Sequence, residues 1–320
     1  MSAIRYLSLF LLLASCAVDG GKVAPLKLTV MSFNTYGAGA NQGDSIEDTV
    51  AVLRAVNADV VALLEVQAES DPCTSTCPPA GPSRAPEIAA ALGYKLYEQT
   101  AENEALWANA ILSKYPILNG TDHDLGAVID VDGRKIAMFG IHLNDYPYQP
   151  YQLLGIPYSD APFLHSADAA VVAARAARGT GLDLLLSDID SVPDADAVFV
   201  AGDFNEPSHR DWSERAAALG RHPFAVRFPA TLRLEAAGFV DSFRAAYPDE
   251  IAKPGYTWTP TSAADDPDDH HDRIDYIFVR ASKVQVLSAA VVGEQQPDAD
   301  IVVTPWPSDH RAVVTTVLIP

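Results

Sequence analysis

The chain has 320 residues, of which 48% are hydrophobic, and this length and composition suffice for one large globular core. Its 22 basic and 42 acidic residues give a net charge of −20 at neutral pH. A protein of that charge repels nucleic-acid backbones unless positive charge is concentrated locally, and the sequence has no cluster of Lys or Arg. Tight nucleic-acid binding is therefore disfavoured, whereas turnover in the presence of a divalent cation is not excluded.

Residues 1–15 are predicted to form an export signal. Arg5 is their only charge, and the apolar run over 6–14 is too short to span a bilayer. The run ends at Cys16 in the motif Leu-Ala-Ser-Cys, which resembles the lipobox of bacterial lipoproteins. We therefore expect lipidation at Cys16 and, because Ala17 follows, an address at the outer membrane or cell surface. The alternative is an ordinary secretory signal that contains a cysteine.

The rest of the sequence is predicted to be a short tether over 16–26 followed by one catalytic domain over 27–320. No later segment is long and apolar enough to span a membrane, so membrane contact is expected only through the lipid anchor. No internal repeat is present, and a monomer is the default expectation.

Two further cysteines, Cys73 and Cys77, lie in a proline-rich segment over 71–86 that we expect to be a surface loop. Because an exported protein meets an oxidising compartment, a disulfide between them is predicted. A zinc site is disfavoured because no second pair of Cys or His lies at ligand spacing.

A strand, a helix and a second strand are predicted to open the domain. Residues 27–33 alternate as in a strand, Ser45-Ile-Glu-Asp48 resembles a helix capping box, and the continuous apolar run over 59–64 is typical of a buried strand. If the two strands are parallel, Asn34 and Glu65 meet at one edge of a sheet. Such edges carry ligand sites in α/β proteins.

Further along the chain, the turn signal Asp132-Gly133 predicts a hairpin between strands over 127–131 and 135–142. A long loop rich in Tyr and Pro is predicted over 143–162. The pattern of helices and two groups of strands predicts an α/β (α+β) fold, a four-layer sandwich of two stacked mixed sheets flanked by helices. The other predicted helices cover 87–92, 163–189 with an interruption at Gly179 and Gly181, 212–219 and 232–237; the other predicted strands cover 94–98, 110–113, 197–201, 256–259, 274–279, 284–291 and 312–318.

Short polar motifs follow the ends of several predicted strands. They supply carboxylates for a metal and for activating water, two amides and two histidines, which is the inventory for metal-assisted attack of water on a phosphate ester. In chain order they are Ser32-Phe-Asn34, Leu64-Glu65, Gly140-Ile-His142, Gly202-Asp-Phe-Asn205, and Arg273-Ile-Asp-Tyr276 with Ser308-Asp-His310.

These motifs, in this order, resemble those of the endonuclease/exonuclease/phosphatase superfamily, which has the deoxyribonuclease-I-like fold. The resemblance covers about residues 28–318, and its most specific parts are the motifs that end at Asn205 and His310. The segment 107–113 (Trp-Ala-Asn-Ala-Ile-Leu-Ser) also resembles a superfamily segment, with Asn109 as its amide. The superfamily implies a Mg²⁺-dependent phosphoesterase with its site at one edge of the sheets; Mn²⁺ is the alternative metal.

The resemblance also implies residue roles around the metal. Glu65 is the primary metal ligand, Asn34 adds a ligand, and Asp309 reaches the metal or the attacking water. Asp203 accepts a proton from that water or orients it, and Asn205 positions the water or a phosphate oxygen. Some relatives carry a second acid two residues after the asparagine, where this chain has Tyr36, so fewer protein ligands are expected.

The two histidines are expected to contact the phosphate. The resemblance implies that His310 donates a proton to the phosphate or stabilises its charge, that Asp275 orients His310, and that His142 is a second donor. An acid behind a histidine fixes its tautomer and favours its protonated form.

Substrate contacts are expected from Asn109 and from the loop that follows His142, namely from Asn144, Asp145 and Tyr146, since selectivity often resides in loops over a rigid site. The acidic run over 265–272 is expected to be a solvated loop, with a Ca²⁺ site as the alternative. Whether Trp212, Trp258 and Trp306 are pocket walls or core residues stays open.

A small extracellular phosphate mono- or diester is the substrate most compatible with the acidic composition and the aromatic loop. An extracellular nuclease is an alternative, as is a sphingomyelinase-like phosphodiesterase, although the sequence contains no evident exposed apolar hairpin. A non-catalytic binding module is the remaining alternative, and the intact set of polar motifs argues against it.

Overall fold

The structure is a computed structural model that describes residues 24–69 and 79–320. The predicted lipidation at Cys16 and the predicted disulfide between Cys73 and Cys77 lie outside these residues. The strands are β1 (Leu26–Asn34), β2 (Val60–Leu64), β3 (Ala68–Glu69), β4 (Pro79–Ala80), β5 (Lys95–Glu98), β6 (Ala110–Ser113), β7 (Ile117–Gly120), β8 (Gly126–Val131), β9 (Arg134–His142), β10 (Ala197–Asp203), β11 (Val240–Asp241), β12 (Asp275–Ala281), β13 (Gln285–Gly293), β14 (Ile301–Val302) and β15 (Ala312–Ile319). The helices are α1 (Ile46–Val56), α2 (Ala85–Leu92), α3 (Gln149–Leu154), α4 (Ala167–Asp190), α5 (Glu214–Ala218), α6 (Pro229–Ala236) and α7 (Ser242–Ala246).

Two mixed sheets stack face to face. The first sheet has the strand order β14-β13-β15-β1-β2-β6-β5, and the second has the order β11-β12-β10-β9-β8-β7. A core that includes Val30, Ala62, Met138 and Phe199 lies between them. Helices α1 and α2 pack on the outer face of the first sheet, and α4 and α6 pack on that of the second. The predicted four-layer sandwich is therefore confirmed.

The apolar run of β2 is explained by burial on both faces of its sheet. Val60 and Ala62 contact the core between the sheets, whereas Val61 and Leu63 contact the core under α1 and α2. Successive side chains of a strand point to opposite faces, so a strand covered on both sides needs apolar residues at every position. The capping box predicted at Ser45 is present, with Asp48 as its partner.

Several elements differ from the sequence-based expectation. Helix α4 continues through Gly179 and Gly181, and at Gly181 an added Cβ would lie 2.7 Å from the carbonyl oxygen of Glu104, so this glycine permits close packing. Helix α3 interrupts the predicted loop over 143–162. The strand predicted over 256–259 is absent, because only Trp258 forms isolated bridges there. No element was predicted from the sequence at β3, β4, β7, β11, β14 or α7.

Among the described residues, none of the helices has the length and apolar character needed to cross a bilayer.

A buried ion pair joins the start of α7 to the segment before β12. Arg273 donates to both carboxylate oxygens of Asp241 at 3.2 and 2.8 Å, and both side chains are almost fully buried. Asp241 also caps α7 by accepting from the N–H groups of Phe243 and Arg244. Burial alone would raise the pKa of Asp241, but the charge and hydrogen bonds of Arg273 lower it below its ordinary value.

Asp241→Asn is expected to lower the free energy of unfolding at pH 7 by roughly 1–3 kcal/mol, because it removes one of the two carboxylates that compensate the buried Arg273. The other carboxylate, that of Asp211, still accepts from Arg273 Nε at 2.9 Å. A lowered folded-state pKa stabilises the protein above the unfolded pKa of about 4, and this contribution is lost as the pH falls through the folded-state pKa. Urea unfolding between pH 2 and 7 should therefore show a shallower acid loss of stability in the variant. An equally steep loss in the variant would contradict this role of Asp241.

Candidate active site

The predicted polar residues meet where several strands of the two sheets end. Strand β1 runs parallel to β2, with Asn34 opposite Leu64, so Asn34 and Glu65 lie at one edge as expected. In the second sheet, Asp203 at the end of β10 lies opposite His142 at the end of β9 and Asp275 at the start of β12. Strand register therefore aligns residues that are far apart in the sequence.

Glu65, Asn34 and Asp203 form a buried hydrogen-bonded group that links the two sheets. The Nδ2 of Asn34 donates to Glu65 Oε1 at 2.8 Å and to Asp203 Oδ2 at 3.2 Å. The Oδ1 of Asn34 accepts from the Tyr36 N–H at 3.2 Å. Asn34 thus presents its Nδ2 to the two carboxylates and positions them, and its role as a metal ligand stays a prediction.

His142 contacts both carboxylates of this group. Its Nε2 lies 3.0 Å from Glu65 Oε1 and 3.8 Å from Asp203 Oδ2. Burial lowers the pKa of His142, but the hydrogen bond to Glu65 and the charges of Asp203, Glu65 and Asp145 outweigh burial and raise it to about 9. The imidazole is therefore a cation at neutral pH and can donate a proton from Nε2.

His310 and Asp275 form a buried dyad on the other side of Asp203. The Nδ1 of His310 lies 2.9 Å from Asp275 Oδ2, and its Nε2 lies 3.5 Å from Asp203 Oδ2. Burial opposes the charged form, but Asp275 and Asp203 together raise the pKa of His310 well above its ordinary value. Asp275 therefore holds the ring with Nε2 directed towards Asp203, as the resemblance implies.

Two hydroxyl groups that sequence reasoning missed position this dyad. Thr257 Oγ1 accepts from the N–H groups of Ile274 and Asp275 at 3.0 and 3.1 Å. Ser308 Oγ donates to the Asn34 carbonyl at 2.7 Å and accepts from the His310 N–H at 3.1 Å. Ser308 belongs to a recognised motif, whereas nothing in the sequence around Thr257 indicates its role.

Asp203 has the environment of a carboxylate that can accept a proton near neutral pH. It is 1% exposed, and its Oδ1 accepts from the Asn205 N–H at 2.8 Å. Burial and repulsion by Asp275 raise its pKa and outweigh the charge of His310, which lowers it. The pKa of Asp203 is therefore raised to about 6. Asn205 has a positive φ of 48°, donates from Nδ2 to the Leu143 carbonyl at 3.0 Å and lines the adjoining cavity.

The donor set fits a hard divalent cation. Glu65 Oε2 and Asp309 Oδ1 are buried and, among the described residues, have no hydrogen-bond partner. Buried polar atoms are normally paired, so these two carboxylate oxygens beside one cavity could hold a divalent cation. Ligand atoms of Glu65, His142 and Asp203 also lie within 4.8 Å of one another. Burial raises the pKa of Asp309 to about 7. The charge of His310 lowers this pKa, and repulsion by Glu65 raises it further. Carboxylate oxygens are the ligands that Mg²⁺ and Mn²⁺ prefer.

The centre lies at the foot of a cavity of about 830 Å³. Asn144 and Asp145 line this cavity, in agreement with their expected positions, but Tyr146 and Asn109 do not. Tyr146 instead packs edge-on against Tyr158 and bonds to Asp160. Asn109 is 2% exposed and donates to the Gly140 carbonyl at 3.2 Å, so it connects strands beneath the site and is not placed to contact a substrate.

Other aromatic residues form the walls of the cavity. Trp258 packs 5.0 Å from the His310 ring, which settles its assignment as a pocket residue. Trp212 and Trp306 belong to the core. Tyr36, where some relatives carry an acid, also lines the cavity; burial and then the charges of Asp309, Glu69 and Glu65 raise its pKa to about 12.

The acidic run over 265–272 is only partly solvated. Asp272 is buried and accepts from Tyr148 Oη at 2.7 Å and from Trp212 Nε1 at 2.8 Å. Asp269 accepts from Tyr151 Oη at 2.5 Å. These two acids therefore anchor the aromatic loop beside the active site, a function that the sequence did not indicate.

Gly202 allows β10 to bring Asp203 into this centre. Its φ is +154°, and an added Cβ would lie 1.9 Å from the backbone oxygen of Ile141 on the neighbouring strand. Gly202→Ala is therefore expected to destabilise the protein by more than about 1 kcal/mol and to lower turnover by displacing Asp203.

The matched control is Gly179→Ala in α4, where an added Cβ meets nothing within 4 Å. A helix-interior alanine is expected to stabilise the protein by roughly 0.5–1 kcal/mol. Thermal unfolding of both variants tests the comparison, and equal stability of the two would contradict the close approach at Gly202.

Two stacked mixed sheets with carboxylates and histidines at a shared edge form the architecture of the phosphoesterase superfamily that the motifs resemble. A profile of the Endonuclease/Exonuclease/phosphatase family matches residues 31–310. The chain belongs to this family. Its members are phosphoesterases or nucleases, so the protein is a hydrolase of that class.

The chain is similar to known proteins in sequence and, for two solved structures, in fold. An uncharacterized protein of Caenorhabditis elegans is 26% identical over 328 residues, which cover 97% of each chain. An endonuclease/exonuclease/phosphatase family protein from Leptotrichia buccalis superposes with a TM-score of 0.52 at 16% identity, covering 91% of this chain and 99% of that one. A 3′ phosphatase from Neisseria, bound to a product DNA hairpin, gives 0.53 at 15% identity, covering 90% and 98%.

Proposed function

We propose that this protein is a divalent-metal-dependent phosphoesterase that hydrolyses a phosphate mono- or diester of a small molecule by attack of water. Mg²⁺ is the proposed metal and Mn²⁺ the alternative. The observation that carries the proposal is the position of Asp203, a buried carboxylate between two cationic histidines, beside the orphaned oxygens of Glu65 and Asp309.

Asp203 is the proposed acceptor of the proton of water. Its Oδ1 is held by the Asn205 N–H, so Oδ2 is the atom that faces Asn34, His142 and His310. A carboxylate with a pKa of about 6 is ionised at neutral pH and is basic enough to take up a proton in the transition state. Asn205 holds the carboxylate in this orientation and completes the wall beside it.

The two histidines stabilise the charge that develops on the phosphate. Asp275 orients His310 through Nδ1, His142 contacts Glu65 through Nε2, and the Nε2 atoms of His142 and His310 lie 3.8 and 3.5 Å from Asp203 Oδ2. Preorganised donors of this kind act without reorganisation during the reaction. Glu65 and Asp309 would hold the metal, and a bound divalent cation supplies further positive charge to the phosphoryl oxygens and lowers the pKa of water.

The cavity favours a small ester over a polymeric one. Among the residues that the structure describes, six carboxylates and no Lys or Arg line it. Nucleic-acid binding depends on cationic side chains along the phosphate backbone, and such a track is missing from these walls.

The proposal is tested by incubating the purified protein with a phosphomonoester, a phosphodiester and plasmid DNA, each with Mg²⁺, Mn²⁺, Ca²⁺ or EDTA. The expected result is turnover of a small ester that EDTA abolishes and Mg²⁺ restores. Cleavage of DNA with no turnover of either small ester would assign the protein to the nucleases of its family.

We also propose that the protein is exported and anchored by a lipid on Cys16, on the basis of the lipobox-like motif. Metabolic labelling with palmitate in a bacterial host should label the wild type and not Cys16→Ser. Equal labelling of the two would contradict the anchor.

A further inference from the structure

We propose that the cavity beside the active centre binds a cationic ammonium group, so that the substrate is a phosphate ester of an amino or quaternary-ammonium alcohol. This inference rests on the proposed function and specifies its substrate class. It follows from an aromatic wall, an excess of carboxylates and the lack of Lys and Arg in the lining of the described cavity.

The aromatic wall consists of Trp107, Tyr148, Tyr151, Tyr158 and Trp258. Tyr148 and Tyr151 pack at 4.9 Å and Tyr151 and Tyr158 at 6.0 Å, both edge to face. The wall adjoins the centre at both histidines, because Trp107 lies 6.1 Å from His142 and Trp258 lies 5.0 Å from His310. A ligand whose phosphate contacts the histidines therefore extends along aromatic rings.

The hydroxyl groups of the three tyrosines are already hydrogen-bonded to carboxylates of the protein. Tyr148 donates to Asp272, Tyr151 to Asp269, and Tyr158 to Asp145 at 2.9 Å. Since Tyr148 is only 5% exposed, the ring surface open to the cavity comes mainly from Tyr151 and Tyr158, which are half-buried. Ring faces carry negative electrostatic potential and attract ammonium groups, above all quaternary ones, which cannot donate hydrogen bonds.

Three further acids, Glu69, Glu104 and Asp145, line the same cavity outside the metal centre. Their charges act together: the pKa of Glu69 is raised by burial and then by repulsion from Glu65 and Asp145. The nearby Arg178 is fully buried and does not line the cavity. It donates to Gln149 and to the carbonyls of Pro147 and Asp145, and it lies 4.0 Å from Glu206. Among the described residues, these three acids therefore have no Lys or Arg beside them in the lining.

These features select one class of substrate. The phosphate would be held at the metal centre and the two histidines, whereas Glu69, Glu104 and Asp145 line the cavity outside that centre and would repel a second anionic group. An ammonium group on the alcohol balances those acids and contacts the rings at the same time. A neutral alcohol would satisfy the ring surface alone.

The test compares two diesters that differ only in charge. p-Nitrophenyl phosphocholine carries a trimethylammonium group, and p-nitrophenyl 3,3-dimethylbutyl phosphate replaces its nitrogen with carbon. With Mg²⁺, the wild type is expected to prefer the choline ester by at least about tenfold in kcat/KM. Equal kcat/KM values would overturn the inference and leave the proposed phosphoesterase activity intact.

A binding measurement separates this inference from the proposed function. Phosphocholine and 3,3-dimethylbutyl phosphate are titrated into the Mg²⁺-containing protein by calorimetry, which needs no catalysis. Tighter binding of phosphocholine without turnover of either diester would support the cationic site and contradict the proposed chemistry. Equal binding of the two would overturn the cationic site.

Matched variants assign the preference to the wall and the acids. Tyr158→Leu is expected to reduce the ratio of choline to neutral turnover at least about threefold, whereas Tyr158→Phe, which keeps the ring, retains it. Asp145→Asn keeps an acceptor for Tyr158 but loses the charge and should also reduce the ratio. Asp194→Asn changes an exposed acid away from the cavity and should leave the ratio unchanged. If Tyr158→Leu and Asp145→Asn both keep the preference of the wild type for the choline ester, the assignment is wrong.

An ammonium ester can come from a free metabolite or from a lipid headgroup. Turnover of glycerophosphocholine is therefore compared with turnover of phosphatidylcholine vesicles, with phosphatidylglycerol vesicles as the anionic control. Preference for either choline substrate over phosphatidylglycerol supports the inference and identifies the source. Faster turnover of phosphatidylglycerol would overturn it.

Discussion

Asp203→Asn is expected to lower kcat on a phosphate ester by about 10²-fold or more, because the amide cannot accept the proton of the attacking water. The amide can still accept the Asn205 N–H bond that Asp203 Oδ1 accepts at 2.8 Å, so the loop is expected to keep its conformation. Steady-state kinetics with saturating Mg²⁺ measure the effect, and thermal unfolding shows whether the fold is kept.

The division between kcat and KM distinguishes proton transfer from substrate binding. Loss of an interaction that acts only in the transition state lowers kcat and kcat/KM together. Asp194→Asn makes the same chemical change at an exposed position and should leave kcat unaltered. A folded Asp203→Asn variant with kcat within a factor of two of the wild type would show that another group activates the water.

Glu65→Gln is expected to weaken Mg²⁺ and Mn²⁺ binding by more than about 100-fold and to abolish metal-dependent turnover. Glutamine keeps the length of the side chain and an oxygen that can accept from Asn34, but it removes the charge that the metal requires. Calorimetric titration of the metal measures the first effect, and turnover over a range of metal concentrations measures the second.

The control for this variant is Glu102→Gln, an exposed position outside the cavity lining. Its metal affinity should equal that of the wild type. If Glu65→Gln binds Mg²⁺ as tightly as the wild type, the buried Glu65 Oε2 is not a metal ligand, and the assignment of the centre is wrong.

The sequence predicts the parts of the fold that depend on local pattern. The apolar run before Glu65 reflects burial on both faces of β2, and Ser45 with Asp48 forms the predicted cap of α1. The edge shared by Asn34 and Glu65 follows from the parallel pairing of β1 and β2. These features require only neighbouring residues and the right-handed connection rule.

Features that depend on distant partners could not be predicted. Trp258 lies in a segment rich in β-forming residues, but only Trp258 finds bridge partners, Asp272 and His310, so no strand forms. Asp272 belongs to a run of charges that resembles a solvated loop, yet the hydroxyl of Tyr148 and the indole of Trp212 hold it in the interior. Composition cannot show which acid of such a run finds buried donors.

The active site divides in the same way. The motifs locate His142, Asp203 and Asp275, because strand register brings these residues together. His310 joins them through its contact with Asp275. The motif around Asn109 did not show that the side-chain amide of Asn109 would donate its hydrogen bond to the Gly140 carbonyl. Among the loop tyrosines, the sequence gives no basis for choosing Tyr148, Tyr151 and Tyr158 over Tyr146 as residues of the cavity lining.

The central claim is metal-dependent attack of water on phosphorus. It is tested most directly by letting the protein hydrolyse its phosphate ester substrate in ¹⁸O-labelled water, once with Mg²⁺ and once with EDTA. We expect turnover only with Mg²⁺ and one labelled oxygen in the phosphate product, detected by mass spectrometry. Turnover that persists in EDTA, or label found in the alcohol instead of the phosphate, would contradict the account.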